Sequence, residues 1–353
     1  MGRPRNTGFS TVIFKLSAWK NSAGIPVTLA VTVMLLVLTD LGLHAWNLQP
    51  QRLPEHFSSS YLTRYVDQFK GQGNLLVVVG DSVLWGYGVP PQDSTVAVLR
   101  REFPNLAVLN LSYEAGSPIN VDFLLRYLLA RGLRPRAVLF DLNPISFNQT
   151  TSSYDTLNAA LARVCVPDLV SSFDRERLNA GSSAATRDVS ERTDRFLEQH
   201  WLLYGLRVDM HQALFGDVDA STALWGRINT SRASGGAPAY AQMYDLTPLG
   251  RQNVAYAYTE HSFAMLGAQH IPMLGFLTPT NHALVHTFVD VRAYDENLQR
   301  LQQLGHRYGV RILNFDRLLA QKNFIDNTHL TTAGNRRLAK ALSPAIVRAL
   351  HVF

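Results

Sequence analysis

The chain has 353 residues, of which 46% are hydrophobic and 17% charged, so it can bury a sizeable core and is not a disordered or low-complexity chain. The formal net charge is +6, but residues 1–24 supply four of these charges and no acid. No basic run follows, which argues against nucleic-acid binding. Cys165 is the only cysteine, which excludes an internal disulfide. The histidines outside the motifs described below show no ligand spacing, so we expect no metal and no other cofactor.

The first predicted element is an apolar segment from Ile25 to Trp46, which contains one acid, Asp40, and no lysine or arginine. As a helix it would rise about 33 Å, enough for a bilayer core. We therefore predict a transmembrane anchor at residues 25–46, with the basic tail of residues 1–24 in the cytoplasm and the rest outside. A cleaved signal peptide is the alternative, but no small-x-small cleavage site follows. Asp40 is either a functional intramembrane acid or, as its position near the outer end favours, a solvated interfacial residue.

Residues 47–73 are polar and read as a linker with one short helix around Tyr61–Phe69. The folded domain is predicted at residues 74–353. Five short apolar runs have the composition of buried parallel strands: Leu75–Val79, Ala107–Leu111, Ala137–Asp141, Ile271–Leu277 and Val310–Phe315. Helical patterns occupy the stretches between and after them: Ser94–Phe103, Ile119–Arg131, Arg292–Tyr308 and Thr332–Leu350.

Strands that alternate with helices predict an α/β fold: a three-layer α/β/α sandwich around a five-stranded, parallel, flavodoxin-like sheet. Residues 145–260, between the third and fourth strands, are far longer than an ordinary crossover connection. We interpret them as an inserted, mostly helical cap. It would contain a long amphipathic helix at Ser190–Phe215 and a flexible loop at Ser231–Ala239.

Gly80-Asp81-Ser82 directly follows the first predicted strand. Ligand sites in such folds lie at the carboxyl ends of the strands, where a helix N-terminus stabilises negative charge. Taken alone, the triplet is a weak motif that fits an ordinary turn with a capping serine.

The second motif, Asp326-Asn-Thr-His329, stands just before the last predicted helix. A serine hydroxyl becomes a good nucleophile only when a base removes its proton, and histidine can do so near neutral pH. A carboxylate beside the imidazole fixes its tautomer. Together the two motifs predict Ser82 as nucleophile, His329 as base and Asp326 as its partner.

The chain resembles the SGNH (GDSL) hydrolase superfamily from Gly73 to its end. GDSVLWGYGV is similar to the first sequence block of that superfamily and DNTHLTTAGNRRLA to the last. The resemblance implies an oxyanion hole formed by the N–H groups of Ser82 and Gly116 and by the side chain of Asn143. The third block usually reads Gly-x-Asn-Asp, whereas here Asp141 and Pro144 flank the asparagine. Asn143 is therefore either an oxyanion donor or a turn residue at the end of a strand.

Four further residues are weaker candidates for contacts with substrate. Trp85 and Tyr87 follow the nucleophile and could line an acceptor cleft, although aromatic residues more often pack. Asn281 and His282 follow the fourth predicted strand at the same edge of the sheet, although loop residues there are usually solvated. Asp81 is expected to shape the nucleophile turn.

The predicted chemistry is acyl transfer through an acyl-serine. An anchored domain of this type resembles the membrane-anchored bacterial polysaccharide O-acetyltransferases, which include the alginate O-acetyltransferases and the D-alanine transfer protein of teichoic acids. This resemblance implies an O-acyltransferase of the bacterial inner membrane with a periplasmic catalytic domain. It would act on a glycan and receive its acyl group, acetyl in the simplest case, from a multi-pass membrane acyltransferase. The alternatives are an esterase or deacetylase that uses water, and a non-catalytic scaffold of a glycan-modification complex.

Overall fold

The computed structural model describes residues 24–45, 52–53, 59–114, 116–147, 173–174, 193, 196–197, 201–205, 207, 237–244 and 246–351. The chain divides into two units, Met1–Asn47 and Leu48–Phe353. The first contains helix α1, Gly24–Ala45, where the sequence predicts a helix. Within the described residues, no helix combines the length and the apolar character needed to cross a membrane. The transmembrane anchor at residues 25–46 stays a prediction from the sequence.

The second unit is built on a five-stranded sheet of order β2-β1-β3-β4-β5, in which every pairing is parallel. This confirms the predicted α/β fold and its sheet. The strands are β1 Leu75–Val79, β2 Ala107–Asn110, β3 Ala137–Leu142, β4 Met273–Leu277 and β5 Arg311–Asn314. The strand order reverses between β1 and β3, where ligand sites of open parallel sheets lie.

Helices cover both faces of the sheet. In the described residues of the second unit, the helices with defined bounds are α2 Ser59–Asp67, α3 Ser82–Trp85, α4 Thr95–Glu102, α5 Pro118–Ala130, α6 Leu202–Gly205, α7 Val254–Ala268, α8 His282–Val289, α9 Arg292–Arg307 and α10 Thr332–His351. On one face, α4 and α10 pack against the sheet through a cluster of buried side chains that includes Leu99, Leu139, Phe276 and Leu342. On the other face, Phe263 of α7 meets Phe140 of β3 edge to face. This is the predicted three-layer arrangement.

The strand and helix boundaries differ from the sequence prediction by one or two residues in most elements. β4 begins at Met273 instead of Ile271, because Pro272 has no N–H for the ladder. The region predicted as a linker is packed in part, since Leu53 and four side chains of α2 are buried. α7 begins at Val254, inside the range predicted as an insertion. Most of the predicted helix Ser190–Phe215 lies outside the described residues, as do Cys165 and most of the loop Ser231–Ala239.

Candidate active site

Ser82 is held at the carboxyl end of β1 by a turn that leads directly into α3. A side chain on Gly80 would collide with β3, so the turn and the strand are in direct contact. Asp81 caps α3, because its Oδ1 accepts the backbone N–H of Val83 at 2.9 Å. α3 is C-capped by Gly86, which has a φ of 89° and donates its N–H to the carbonyl of Ser82 at 3.0 Å. Ser82 is thus fixed at the start of a one-turn helix beside the point where the strand order reverses.

The three residues predicted to form a triad are joined by hydrogen bonds. Ser82 Oγ lies 2.8 Å from His329 Nε2, across 247 residues of sequence. His329 Nδ1 lies 2.7 Å from Asp326 Oδ2. The other carboxylate oxygen of Asp326 accepts the backbone N–H groups of Thr328 at 3.0 Å and of His329 at 2.8 Å. A carboxylate on Nδ1 places the Nδ1 proton there and leaves Nε2 free to accept the serine proton.

The surroundings of the pair shift both pKa values toward the charged forms. Burial acts to lower the pKa of His329, but the hydrogen bond and the charge of Asp326 outweigh it, so that pKa is raised. Burial acts to raise the pKa of Asp326, but His329 and the two backbone N–H groups lower it overall. The imidazole is therefore a stronger base than an ordinary histidine, and its partner remains a carboxylate.

Gly116 and Asn143, two of the three predicted oxyanion donors, lie at this edge of the sheet, but their N–H groups already have acceptors. Gly116 packs so closely on the nucleophile turn that a Cβ would collide with the carbonyl of Gly80, and its N–H donates to the carbonyl of Tyr113 at 2.9 Å. The amide nitrogen of Asn143 donates to Asp81 Oδ2 at 2.7 Å and to Thr328 Oγ1 at 3.3 Å. The role of Asn143 as an oxyanion donor stays a prediction. In that role, its amide nitrogen would have to break its hydrogen bond to Asp81.

A second buried carboxyl group, that of Asp141, lies beside the turn that carries Ser82. Asp141 stands where the third block normally has glycine, and its Oδ1 accepts the hydroxyl of Thr278. Burial raises the pKa of Asp141 well above its usual range, and the charge of Asp81 raises it further. Asp141 was not among the site residues predicted from the sequence. The available signal was an acid at the end of an otherwise apolar strand.

The two aromatic candidates for substrate contacts have different environments. Trp85 is 4% exposed, donates its indole N–H to the carbonyl of Leu53 at 2.6 Å and has the guanidinium of Arg52 stacked on its ring at 3.6 Å. It therefore packs the interior and does not line a cleft. Tyr87 lies beside His329, with ring centroids 4.4 Å apart. It covers one side of the imidazole of His329.

Asn281 and His282 make contacts within the protein. Asn281 Nδ2 donates to the carbonyl of Asp326 at 2.9 Å. His282 lies between two carboxylates, with Nδ1 2.7 Å from Asp290 Oδ1 and Nε2 2.7 Å from Asp316 Oδ2. The structure thus places both residues as supports of the loops around the triad rather than as open substrate contacts. Among the described residues, no group of three or more His, Cys, Asp or Glu side chains could hold a metal ion.

Comparison with known proteins gives one family match and a set of distant structural neighbours. A family described as "Protein of unknown function (DUF1574)" matches residues 51–199, less than half of the chain. No curated protein matches.

The structural neighbours include a lipolytic protein of the G-D-S-L family from Desulfitobacterium hafniense, at 9% identity and a TM-score of 0.40 over 77% of this chain and 99% of that one. A carbohydrate acetylesterase from Sinorhizobium meliloti is 10% identical, with a TM-score of 0.38 over 78% of this chain and 99% of that one. An aryl esterase from M. smegmatis is 12% identical, with a TM-score of 0.38 over 78% of this chain and 100% of that one. Because these scores are low, the function of this chain rests on its own side chains.

Proposed function

We propose that this protein is a serine-dependent enzyme that transfers an acyl group, acetyl in the simplest case, from an ester donor to a glycan hydroxyl. One observation carries the proposal: the continuous hydrogen-bonded series from Ser82 through His329 to Asp326. A half-buried serine has no structural need for a histidine whose other nitrogen is held by a carboxylate. That arrangement is the one that activates a hydroxyl for attack on a carbonyl.

The reaction has two steps. His329 Nε2 removes the proton of Ser82 Oγ as the oxygen attacks the ester carbonyl, and the tetrahedral intermediate collapses when His329 returns that proton to the departing alcohol. In the second step His329 deprotonates the acceptor hydroxyl, which attacks the acyl-serine and releases Ser82 with its proton restored. Asp326 remains a carboxylate and stabilises the imidazolium in both steps.

The acceptor distinguishes a transferase from an esterase, since the triad activates a sugar hydroxyl and water alike. The side chain of His329 is 15% exposed and Tyr87 covers one side of its ring, so either acceptor approaches from the remaining side. The choice of a glycan as acceptor comes from the sequence resemblance, and the second experiment below tests it. The esterase uses the same residues with water as acceptor.

The first experiment tests the nucleophile. The full chain is incubated with a fluorophosphonate, and its intact mass is measured. We expect one adduct, located on Ser82 by peptide mapping and absent from Ser82→Ala. The matched control Ser343→Ala removes a serine on α10 and should label like the wild type. An unlabelled wild type, or equal labelling of Ser82→Ala, would contradict the proposed enzyme and favour the non-catalytic scaffold.

The second experiment tests the acceptor. The protein is incubated with an acetyl ester, such as p-nitrophenyl acetate, in the presence and absence of glycan oligosaccharides. Acetylated glycan and free acetate are then counted by mass spectrometry. Acetylated product that depends on Ser82 supports the transferase, whereas acetate as the sole product with every glycan supports the esterase. A location outside the cytoplasm and a multi-pass membrane partner stay predictions from the sequence.

A further inference from the structure

The loop between β4 and α8 contacts the turn that carries Asp326 and His329. Asn281 is buried and binds the turn that carries the catalytic pair through two hydrogen bonds. Its backbone N–H donates to the carbonyl of Asn327 at 2.9 Å, and its side-chain amide donates to the carbonyl of Asp326 at 2.9 Å. The position of the turn from Asp326 to His329 therefore depends on where Asn281 is held.

The residue that follows, His282, is bound at both ring nitrogens. Nδ1 lies 2.7 Å from Asp290 Oδ1 at the end of α8, and Nε2 lies 2.7 Å from Asp316 Oδ2 just after β5. A carboxylate only accepts hydrogen bonds, so each ring nitrogen must donate, and only the imidazolium has two N–H groups. His282 thus ties the start of α8 to the end of β5 as a cation between two anions.

Asp316, the carboxylate that binds Nε2 of His282, is itself held in place by other contacts. Asp316 is 2% exposed, and its other carboxylate oxygen accepts the hydroxyl of Tyr294 at 2.7 Å. The backbone carbonyl of Asp316 accepts the N–H of Thr280 at 2.9 Å, which fixes the loop one residue before Asn281. The loop is therefore held on Asp316 at Thr280 and at His282, on either side of the asparagine that binds the catalytic turn.

We propose that His282, as an imidazolium held between Asp290 and Asp316, is a positioning residue that aligns Asp326 and His329 through Asn281. It does not touch substrate. Loss of its proton leaves one ring nitrogen facing a carboxylate without a hydrogen to donate, so one of the two contacts becomes repulsive. The loop then loosens, and the turn that holds Asp326 and His329 loses its register with Ser82.

The charges around His282 determine the pH at which it loses its proton. Burial acts to lower its pKa, but Asp316 and Asp290 outweigh burial, and the pKa is raised overall. Arg317, which donates to Asp290 Oδ1 at 2.8 Å, acts against them and lowers the pKa of His282. Tyr294 of α9 packs edge-on against the ring, and because burial raises its pKa well above the usual range, it stays neutral.

This inference rests on the proposed function and predicts the alkaline side of its pH profile. The imidazolium form is present below the raised pKa of His282 and is lost as pH rises through it, so the rate of acylation of Ser82 should fall there. The test is the rate of fluorophosphonate labelling of Ser82 across the pH range. Asp290→Asn removes an anion and should move the alkaline fall to lower pH. Arg317→Gln removes a cation and should move it to higher pH.

Two further variants, one at His282 and one control, are measured in the same labelling experiment. His282→Gln cannot bridge two carboxylates as a cation, so labelling should be about tenfold slower and should lack the alkaline fall. Arg336→Gln removes an exposed arginine that pairs with Asp93 on another part of the surface, and its profile should match the wild type. If His282 had only a structural role, labelling would be slower in some variants, but the pH profiles of Asp290→Asn and Arg317→Gln would not shift in opposite directions. If the alkaline fall does not move in either Asp290→Asn or Arg317→Gln, the inference is wrong.

A measurement independent of reactivity separates this inference from the proposed function. The Nδ1 proton of His329, hydrogen-bonded to Asp326, should give a low-field proton NMR resonance in the full-length wild type. We expect that resonance to shift as His282 titrates, followed in the same sample by its ring-nitrogen signals, and to broaden or shift in His282→Gln. A resonance that does not respond overturns the inference, whether or not Ser82 reacts. Absence of labelling in the wild type overturns the proposed function alone.

Discussion

At the scale of single residues, the pKa of His329 determines how the proposed activity depends on pH on the acid side. The imidazole accepts a proton from Ser82 only when it is neutral, and Asp326 raises its pKa. Activity should therefore fall as pH decreases through a pKa above the ordinary histidine value of about 6.5. This acid limb belongs to the triad, whereas the alkaline fall proposed above belongs to His282.

Replacement of Asp326 by Asn tests the origin of the acid limb. The amide removes the charge that raises the pKa of His329, so the acid limb should move to lower pH. It also permits the wrong tautomer, with Nε2 protonated toward Ser82, so kcat/KM should fall by about 10³- to 10⁴-fold. The measurement is kcat/KM for p-nitrophenyl acetate against pH. Asp93→Asn, which removes a carboxylate paired with Arg336, serves as the control. An unmoved acid limb in Asp326→Asn would show that another group controls it.

At the scale of elements, the site is assembled where the loop after β2 meets the turn after β1. Gly116 is the point of contact, because a Cβ there would collide with the carbonyl of Gly80 and come within 3.0 Å of the Cα of Asp81. These are backbone atoms of the nucleophile turn, which cannot move without displacing Ser82. The glycine is therefore needed for close approach of two backbones and not for an unusual φ.

Gly116→Ala should consequently damage both stability and reactivity. We expect a loss of about 1–3 kcal/mol in the free energy of unfolding, typical of overpacking, because the added methyl must push the two turns apart. Urea denaturation measures the stability, and fluorophosphonate labelling of Ser82 measures the reactivity. Gly250→Ala adds a methyl where nothing lies within 4 Å and is the matched control. Equal stability and labelling of the two variants would contradict the close contact.

The elements also show why some of the fold could be predicted from the sequence and some could not. β1 and β3 are continuous apolar runs, and Ser82, Asp326 and His329 stand at boundaries between elements, so local patterns identify them. α8 was missed because it is short and contains a kink at Val285. The contacts of Asn143 and His282 depend on carboxylates brought near by the fold, and no local pattern encodes those partners.

At the scale of the whole molecule, a buried cluster of charges joins the segment between β3 and β4 to the helices that cover the sheet. Arg126 of α5 binds Asp174 through two hydrogen bonds of 2.7 Å and binds Asp122 of its own helix at 2.6 Å. Tyr258 of α7 donates to Asp174 at 2.8 Å, and His261 lies 2.6 Å from Asp122. Asp174 is 1% exposed, so this residue of the predicted insertion is part of the interior.

The guanidinium of Arg126 should be essential to this junction. Two buried carboxylates depend on it, and Arg126→Met would leave them close together without the compensating cation. Removal of one partner from a buried ion pair costs about 3–5 kcal/mol, because an uncompensated charge stays in the interior. We expect a loss of that size in the free energy of unfolding, measured by urea denaturation. Arg292→Met, which removes an exposed arginine paired with Glu296 on α9, is the matched control and should leave the midpoint of urea unfolding nearly unchanged.

A double variant tests the cause of the loss. Asp174→Asn combined with Arg126→Met removes one of the two uncompensated carboxylates and should recover part of the lost stability. Similar stability of Arg126→Met and Arg292→Met would mean that the segment around Asp174 contributes little to the fold. A large loss that the double variant partly reverses would show that the ion pair between Arg126 and Asp174 ties this segment to the stability of the fold.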